Sequence, residues 1–290
     1  MKPSAFEYYS PATLDECVGL LVEHEDDEPK LIAGGQSLVP LMNLRMARPE
    51  VLIDLNGLPD LAYMREEGDV LAIGAMTRYA DIEASSLARR LCPLLASATA
   101  EVGYPAIRNR GTVGGAIAHA DPVAEWPCVV RTLDAELVAT GPAGRRTIPA
   151  ADFFAGIFTT ALQPTEVLTE IRIPLRRGLG AWSFQEFVRK VGDYAVVAVA
   201  LDLATADGVV SEAKIGFANL ADRPVRSPVV EALILGCTIT GEPPPPALLE
   251  AVSDALRTEQ STDPYRMQLA GVLAGRALTE AFASADGGAR

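Results

Sequence analysis

Leu31-Ile-Ala-Gly-Gly-Gln-Ser-Leu-Val-Pro-Leu-Met42 is the stretch on which the reading of this chain turns. A short apolar strand, residues 30–33, runs into the pair Gly34-Gly35, and Ser37 with Pro40 can open a short helix. Adjacent glycines reach dihedrals closed to other residues and let a ligand approach the backbone N–H groups. N–H groups at a helix start favour an anionic phosphate, and Gln36 and Ser37 add side-chain donors. The competing reading is a plain turn between two strands, and a glycine pair alone does not decide between them.

A second segment, Arg108-Asn-Arg-Gly-Thr-Val-Gly-Gly-Ala-Ile-Ala-His-Ala-Asp-Pro122, repeats the logic. Its glycine pair, Gly114-Gly115, leads within a few residues to Asp121-Pro122, which has the form of an N-cap followed by proline at the first helical position. The helix is expected to run to about Leu133. Two such loops in one domain can pinch a pyrophosphate between them. Neither fits G-x-G-x-x-G, which disfavours a Rossmann dinucleotide site. The residues by themselves reach a phosphate-bearing cofactor held by loops, and no further.

Around these segments, short strands and brief helices are expected up to residue 174. They include a helix over 11–23 capped by Thr13, strands over 51–55 and 70–74, a helix from a Thr77 cap, and a hairpin over 135–148. Residues 170–174 alternate charged and apolar side chains, as an edge strand does. Residues 176–180 read as a linker. Beyond them the pattern shifts to longer strands over 182–190, 194–204 and 209–220, with Asp207-Gly208 as a hairpin turn, and then to helices over 227–235, 246–257 and 264–282.

A net charge of −13 with no clustered Lys or Arg excludes a general nucleic-acid role, because phosphate binding along a strand needs a basic surface. The first residues hold no apolar run of a signal peptide, and the longest apolar stretch, 194–201, is too short to span a bilayer, so a cytoplasmic protein is expected. Cys17, Cys92, Cys128 and Cys237 are scattered without a C-x-x-C pair, which argues for buried thiols and against an iron–sulfur or structural zinc site in this chain. His24 and His119 are the only imidazoles, which makes a histidine metal site improbable; His119 is read as a packed residue. Composition is that of a folded protein except at the tail, 284–290.

Ala33-Gly-Gly-Gln-Ser37 with the following Leu-Val-Pro-Leu-Met-Asn-Leu-Arg-Met-Ala-Arg-Pro-Glu50 resembles the first FAD loop of the medium, FAD-binding subunits of the carbon monoxide dehydrogenase and xanthine dehydrogenase family of molybdenum hydroxylases. Thr112-Val-Gly-Gly-Ala116 with Ile-Ala-His-Ala-Asp-Pro122 resembles their second loop, and Arg189-Lys-Val-Gly-Asp-Tyr-Ala-Val197 a turn placed beside the flavin ring. The likeness covers essentially the whole chain. It implies an α+β fold: a two-part PCMH-type, vanillyl-alcohol-oxidase-like FAD-binding region over 1–176 (parts about 1–57 and 58–176), then a C-terminal α+β domain over 177–290 with a small antiparallel sheet and helices.

The resemblance also implies the site. Gly34, Gly35, Gln36 and Ser37 would hold the pyrophosphate through backbone N–H groups, with Thr112, Gly114 and Gly115 closing from the other side, and Ala33, Val113 and Ala116 of the same two loops would also be cofactor-binding positions. Ala116 stands where the family often carries a polar residue, so a side-chain contact is missing there while the backbone N–H is expected to remain. Glu125 would accept a bond from a ribityl or ribose hydroxyl; Leu168, Lys190 and Tyr194 would lie near the isoalloxazine. FAD would be bound non-covalently, with the molybdopterin cofactor and [2Fe-2S] clusters on a large and a small partner subunit, in a dimer of heterotrimers. Electrons would pass from the clusters through FAD to NAD, a quinone or dioxygen, with no catalytic acid, base or nucleophile in this chain. Two alternatives stay open at this stage: a self-contained flavin oxidase or dehydrogenase of a small alcohol or lactone, and a non-catalytic nucleotide-binding module.

Overall fold

The computed structural model describes residues 2–176, 180–258 and 263–284. Two of the expectations fall partly outside them: the linker at 176–180 and the tail at 284–290.

The chain opens with β1 (Glu7–Tyr9), α1 (Leu14–Glu23), β2 (Lys30–Ile32), α2 (Leu38–Asn43) and β3 (Val51–Asp54). Thr13 caps α1 by accepting from the Glu16 N–H, and Cys17, Val18 and Leu21 form its buried face. The three strands make a parallel sheet in the order β1-β3-β2. The central strand buries Val51, Leu52 and Ile53 on both faces, as a parallel sheet covered on both sides requires.

Next come β4 (Met64–Glu67), β5 (Val70–Gly74), α3 (Tyr79–Ala84), α4 (Ser86–Leu91), α5 (Pro93–Glu101), α6 (Pro105–Arg108), α7 (Val113–His119) and α8 (Glu125–Thr132). They are followed by β6 (Glu136–Gly141), β7 (Gly144–Pro149), α9 (Ala150–Phe153), the short pair β8 (Phe154–Gly156) and β9 (Thr159–Thr160), and β10 (Val167–Pro174). The antiparallel sheet β4-β5-β10-β6-β7 results. β10 is therefore its middle strand, not an edge. The charges of its sequence are matched within the sheet: Glu170, 2% exposed, accepts from the Tyr63 hydroxyl, from Arg145 at 2.5 Å and from Arg172 at 3.0 Å.

The last part holds β11 (Gly180–Phe187), β12 (Val197–Ala206), β13 (Val209–Ala218), β14 (Val225–Arg226), α10 (Pro228–Ile234), α11 (Pro246–Thr258) and α12 (Pro264–Ser284). Its four strands form one antiparallel sheet, with Asp207 (φ 52°) and Gly208 (φ 76°) in the hairpin turn between β12 and β13. β12 shows why the sheet is two-faced. Val197, Val199, Leu201 and Leu203 pack with α11 and α12, while Ala198 and Ala200 turn to the core around α5 and α8. The small residues let α8 approach: a Cβ on Gly216 of β13 would lie 1.9 Å from Thr132 Oγ1. The core around α8 thus includes Trp126, Phe153, Ile171 and Phe184, drawn from both sides of residue 180.

Candidate functional site

A cleft of about 640 Å³ opens where the parallel sheet, α7, β10 and the turn after β11 meet. Its floor is the first glycine loop. β2 delivers the chain to Gly34, whose backbone lies so close to the 110–111 segment that a Cβ there would sit 2.3 Å from the Arg110 carbonyl. Gly35 takes φ 72°, a conformation open to glycine, and turns the chain into α2. Gln36 is folded back, its Nε2 donating to the Gly34 carbonyl at 3.2 Å. No backbone acceptor among the described residues engages the N–H groups of Gly34, Gly35, Gln36 or Ser37. All four residues, with Ala33, line the cleft.

Asn56 and Arg78 lock this loop to its neighbour. Asn56 Nδ2 donates to the Ala33 carbonyl at 2.9 Å, and Arg78 donates both to Asn56 Oδ1 at 2.5 Å and to the Arg110 carbonyl.

The second glycine segment is built differently from the loop expected of it. Thr112 is an N-cap, its Oγ1 accepting from Gly115 N–H at 3.1 Å, and Gly114-Gly115 form the first turn of α7. The other N–H groups are also engaged: Val113 donates to Thr77 O at 3.1 Å, Gly114 to Ala75 O at 2.9 Å and Ala116 to Thr112 O at 3.1 Å. The backbone N–H expected to stay free at Ala116 is therefore in use. These residues serve through close approach, since a Cβ on Gly114 would meet Ala75 Cβ at 2.4 Å. Thr112, Gly114, Gly115 and Ala116 line the cleft, whereas Val113 is fully buried and points into the core.

Past α7 the chain also departs from expectation. Ala120 adopts φ 53°, and Asp121 accepts from Val123 N–H at 3.1 Å within a turn instead of capping a helix. The turn is held outside the helix because the Pro122 carbonyl accepts from Asn219 N–H at 2.8 Å, beside the end of β13. Glu125 is consequently the first residue of α8, 8% exposed, and lines the cleft. Burial pushes its carboxyl up to about 7, and the charges of Asp121 and Glu101 add to the effect. Thr77 is likewise no cap: it exchanges hydrogen bonds with the Tyr63 backbone, and α3 starts two residues later.

Leu168 reaches the cleft through a bulge in β10 between Leu168 and Glu170, which re-aims the strand. Of the turn after β11, Gly192, Asp193 and Tyr194 line the mouth, with Tyr194 exposed. Lys190 does not; it is exposed, and its contribution to the turn is a carbonyl accepting from Asp193 N–H. Several wall residues escaped the sequence reading. Tyr104 donates to the Val191 carbonyl at 2.7 Å, and its ring lies 2.5 Å from where a Cβ on Gly192 would stand. Phe158 packs on His119 with ring centroids 4.8 Å apart, and burial lowers the His119 pKa. An aromatic in an irregular segment carries no periodic signal, so only the structure brings these two to the site.

Comparison with known proteins gives a consistent result. Residues 4–176 match the family described as the FAD binding domain in molybdopterin dehydrogenase, and residues 182–281 that of the CO dehydrogenase flavoprotein C-terminal domain. The chain is 39% identical to the carbon monoxide dehydrogenase medium chain of Hydrogenophaga pseudoflava over 98% of its own length and 99% of that protein. It is 34% identical to the caffeine dehydrogenase subunit beta of Pseudomonas sp. (strain CBB1), covering 97% and 96%. Its fold superposes on the solved carbon monoxide dehydrogenase of H. pseudoflava with a TM-score of 0.91 (39% identity, 98% and 99% covered). For the quinoline 2-oxidoreductase of Pseudomonas putida 86 the TM-score is 0.90 (31% identity, 98% and 99% covered).

Proposed function

Because the chain belongs to the FAD-binding subunits of the molybdopterin dehydrogenases, we propose that the cleft over Gly34-Gly35 is its FAD site and that the chain relays electrons between partner subunits and an external acceptor. The observation that carries the reading is the asymmetry of the two glycine segments. Gly34 to Ser37 offer unengaged N–H groups at the foot of α2, suited to a pyrophosphate, while the α7 segment supplies a close-packed wall. The residues present fit FAD on that ground. When bound, FAD supplies a centre that accepts electrons singly and releases them as a pair.

In this reading Gly34, Gly35, Gln36 and Ser37 hold the diphosphate, with Ala33 beside them in the cleft lining. Thr112, Gly114, Gly115 and Ala116 shape the opposite wall, Glu125 and Leu168 line the middle, and Tyr194 stands at the mouth. The molybdopterin cofactor belongs to a large partner and the [2Fe-2S] clusters to a small one, in a cytoplasmic dimer of heterotrimers. NAD, a quinone or dioxygen is the terminal acceptor. Of the four cysteines expected to be buried thiols, Cys17 packs in the core under the parallel sheet and Cys92 and Cys128 in the core around α8, whereas Cys237 is only half-buried, its Sγ donating to the Leu233 carbonyl. Among the described residues no helix is long and apolar enough to cross a membrane.

The chain purified alone should show an oxidised-flavin absorbance spectrum, or acquire one on adding FAD. No flavin uptake would refute the site. Substrate turnover by the isolated chain, without partners, would refute the relay and favour a self-contained flavin oxidase.

A further inference from the structure

Asn56 stands in the turn that ends β3, and its side-chain amide is engaged on every side. Nδ2 donates to the Ala33 carbonyl at 2.9 Å and to Asp54 Oδ1 at 2.5 Å, which leaves Oδ1 to accept from Arg78 at 2.5 Å. The opposite setting of the amide would put its oxygen against a carbonyl and a carboxylate, and its NH2 against a guanidinium. Asp54 is fixed in turn, accepting from the Asn56 N–H at 2.9 Å and from the Tyr8 hydroxyl of β1 at 2.6 Å. These bonds tie the entry of the first glycine loop to the parallel sheet.

Arg78 joins that group to the second segment. Its backbone is bridged antiparallel to Thr112, with the Tyr79 N–H donating to Gly111 O at 3.2 Å and the Val113 N–H to Thr77 O at 3.1 Å. Its guanidinium forks, one nitrogen donating to Asn56 Oδ1 and the other to the Arg110 carbonyl. That carbonyl is the atom a Cβ on Gly34 would strike at 2.3 Å. The fork therefore sits where the two glycine segments touch. Arg78 and Asn56 themselves stand outside the cleft lining, so both act from behind the loops.

We propose that Arg78, acting through Asn56, is a positioning residue of the cofactor site: it fixes the spacing between Gly34 and the segment before α7, and with it the gap that takes the diphosphate. The proposal rests on the assignment of the cleft to FAD. Exposed or half-buried hydrogen bonds are worth little one by one. The set matters because each member fixes the direction of the next. Unengaged N–H groups serve an anion only while they stay aimed at a common point. A planar fork can hold two acceptors at a set separation, which a lysine ammonium does not do.

The loaded and the cofactor-free chain test this separately. Arg78→Ala should weaken FAD binding, followed by flavin fluorescence, about tenfold or more. Arg78→Lys keeps the charge without the fork and should recover little of that loss; recovery to wild-type affinity assigns the role to charge alone and overturns the clamp. Asn56→Ala should lose a similar factor, and the double variant no more than the worse single one, because the two residues act through a common bond. Losses that multiply, or an unchanged affinity in Arg78→Ala, overturn the proposal. In the cofactor-free chain, Arg78→Ala should speed amide hydrogen exchange over residues 33–41, to which its side chain donates no hydrogen bond, and Asn56→Ala should do the same. Exchange there equal to wild type overturns the link. Asn56 is exposed, so its variant carries both measurements if Arg78→Ala does not fold. If wild type takes up no FAD while the exchange response is present, the clamp stands and the assignment of the cleft falls instead.

Discussion

Gly34 and Glu125 bear on the cleft in opposite ways. Gly34 acts through what it lacks: Gly34→Val would drive a side chain into the Arg110 carbonyl, 2.3 Å from its Cβ, and part the two segments that Arg78 and Asn56 hold together. We expect that variant to lose FAD, read by absorbance, while circular dichroism shows the sheets intact. Glu125 acts through its environment. Its folded pKa lies above the ordinary 4.5, so its contribution to stability is fully present below about pH 4.5 and is lost as pH rises through about 7. At roughly 1.4 kcal/mol per pKa unit the swing is on the order of 3 kcal/mol. The melting temperature of the cofactor-free chain should therefore decline over that interval, and Glu125→Gln should flatten the decline. The glycine pair could be read from sequence as a motif, and the positive φ of Gly35 is a local demand, but the approach of Gly34 to Arg110 is made only by the fold. The state of Glu125 could not be read, since it depends on burial and on the charges of Asp121 and of Glu101, the latter brought near it only by the fold.

Helix α7 shows how an element can hide behind its composition. Gly114 and Gly115 weaken any helical signal, and both glycine segments were read as loops. Packing overrides propensity here: the first turn passes so close to Ala75 that only glycine fits, and Thr112 compensates by capping it. Thr112→Ala should cost about 1 kcal/mol in urea unfolding, a typical loss for a removed cap. β10 misled for the converse reason. Its alternating charges suggested an exposed edge, yet Arg145, Arg172 and Tyr63 meet Glu170 inside the sheet. Period-two patterning reports which side chains share a face, not whether that face finds partners. The shift of α8 from Asp121 to Glu125 belongs to the same class, because the bond that holds the turn comes from Asn219.

The whole molecule is joined through the core around α8, which draws Phe184, Ala195, Ala198, Ala200 and Ala218 into contact with residues of the first 176. A fragment of residues 1–176 would expose that apolar surface. It should bind a hydrophobic dye and unfold with reduced cooperativity, whereas the intact chain shows a sharp transition; a fragment as cooperative as the full chain would contradict this. The family, the α+β architecture and the FAD cofactor could be recognised from two loop motifs, because these concentrate their constraints in a few residues. Which walls close the cleft could not, because Tyr104 meets Val191 across 87 positions of sequence. That last contact has a bearing on the order of events during synthesis. The floor of the cleft leaves the ribosome early, but its mouth is unmade until Tyr194 has followed. With FAD assigned to this cleft as proposed, its capture would be a late step in the life of the nascent chain, and a chain stopped short of that turn would carry an open, leaking cleft.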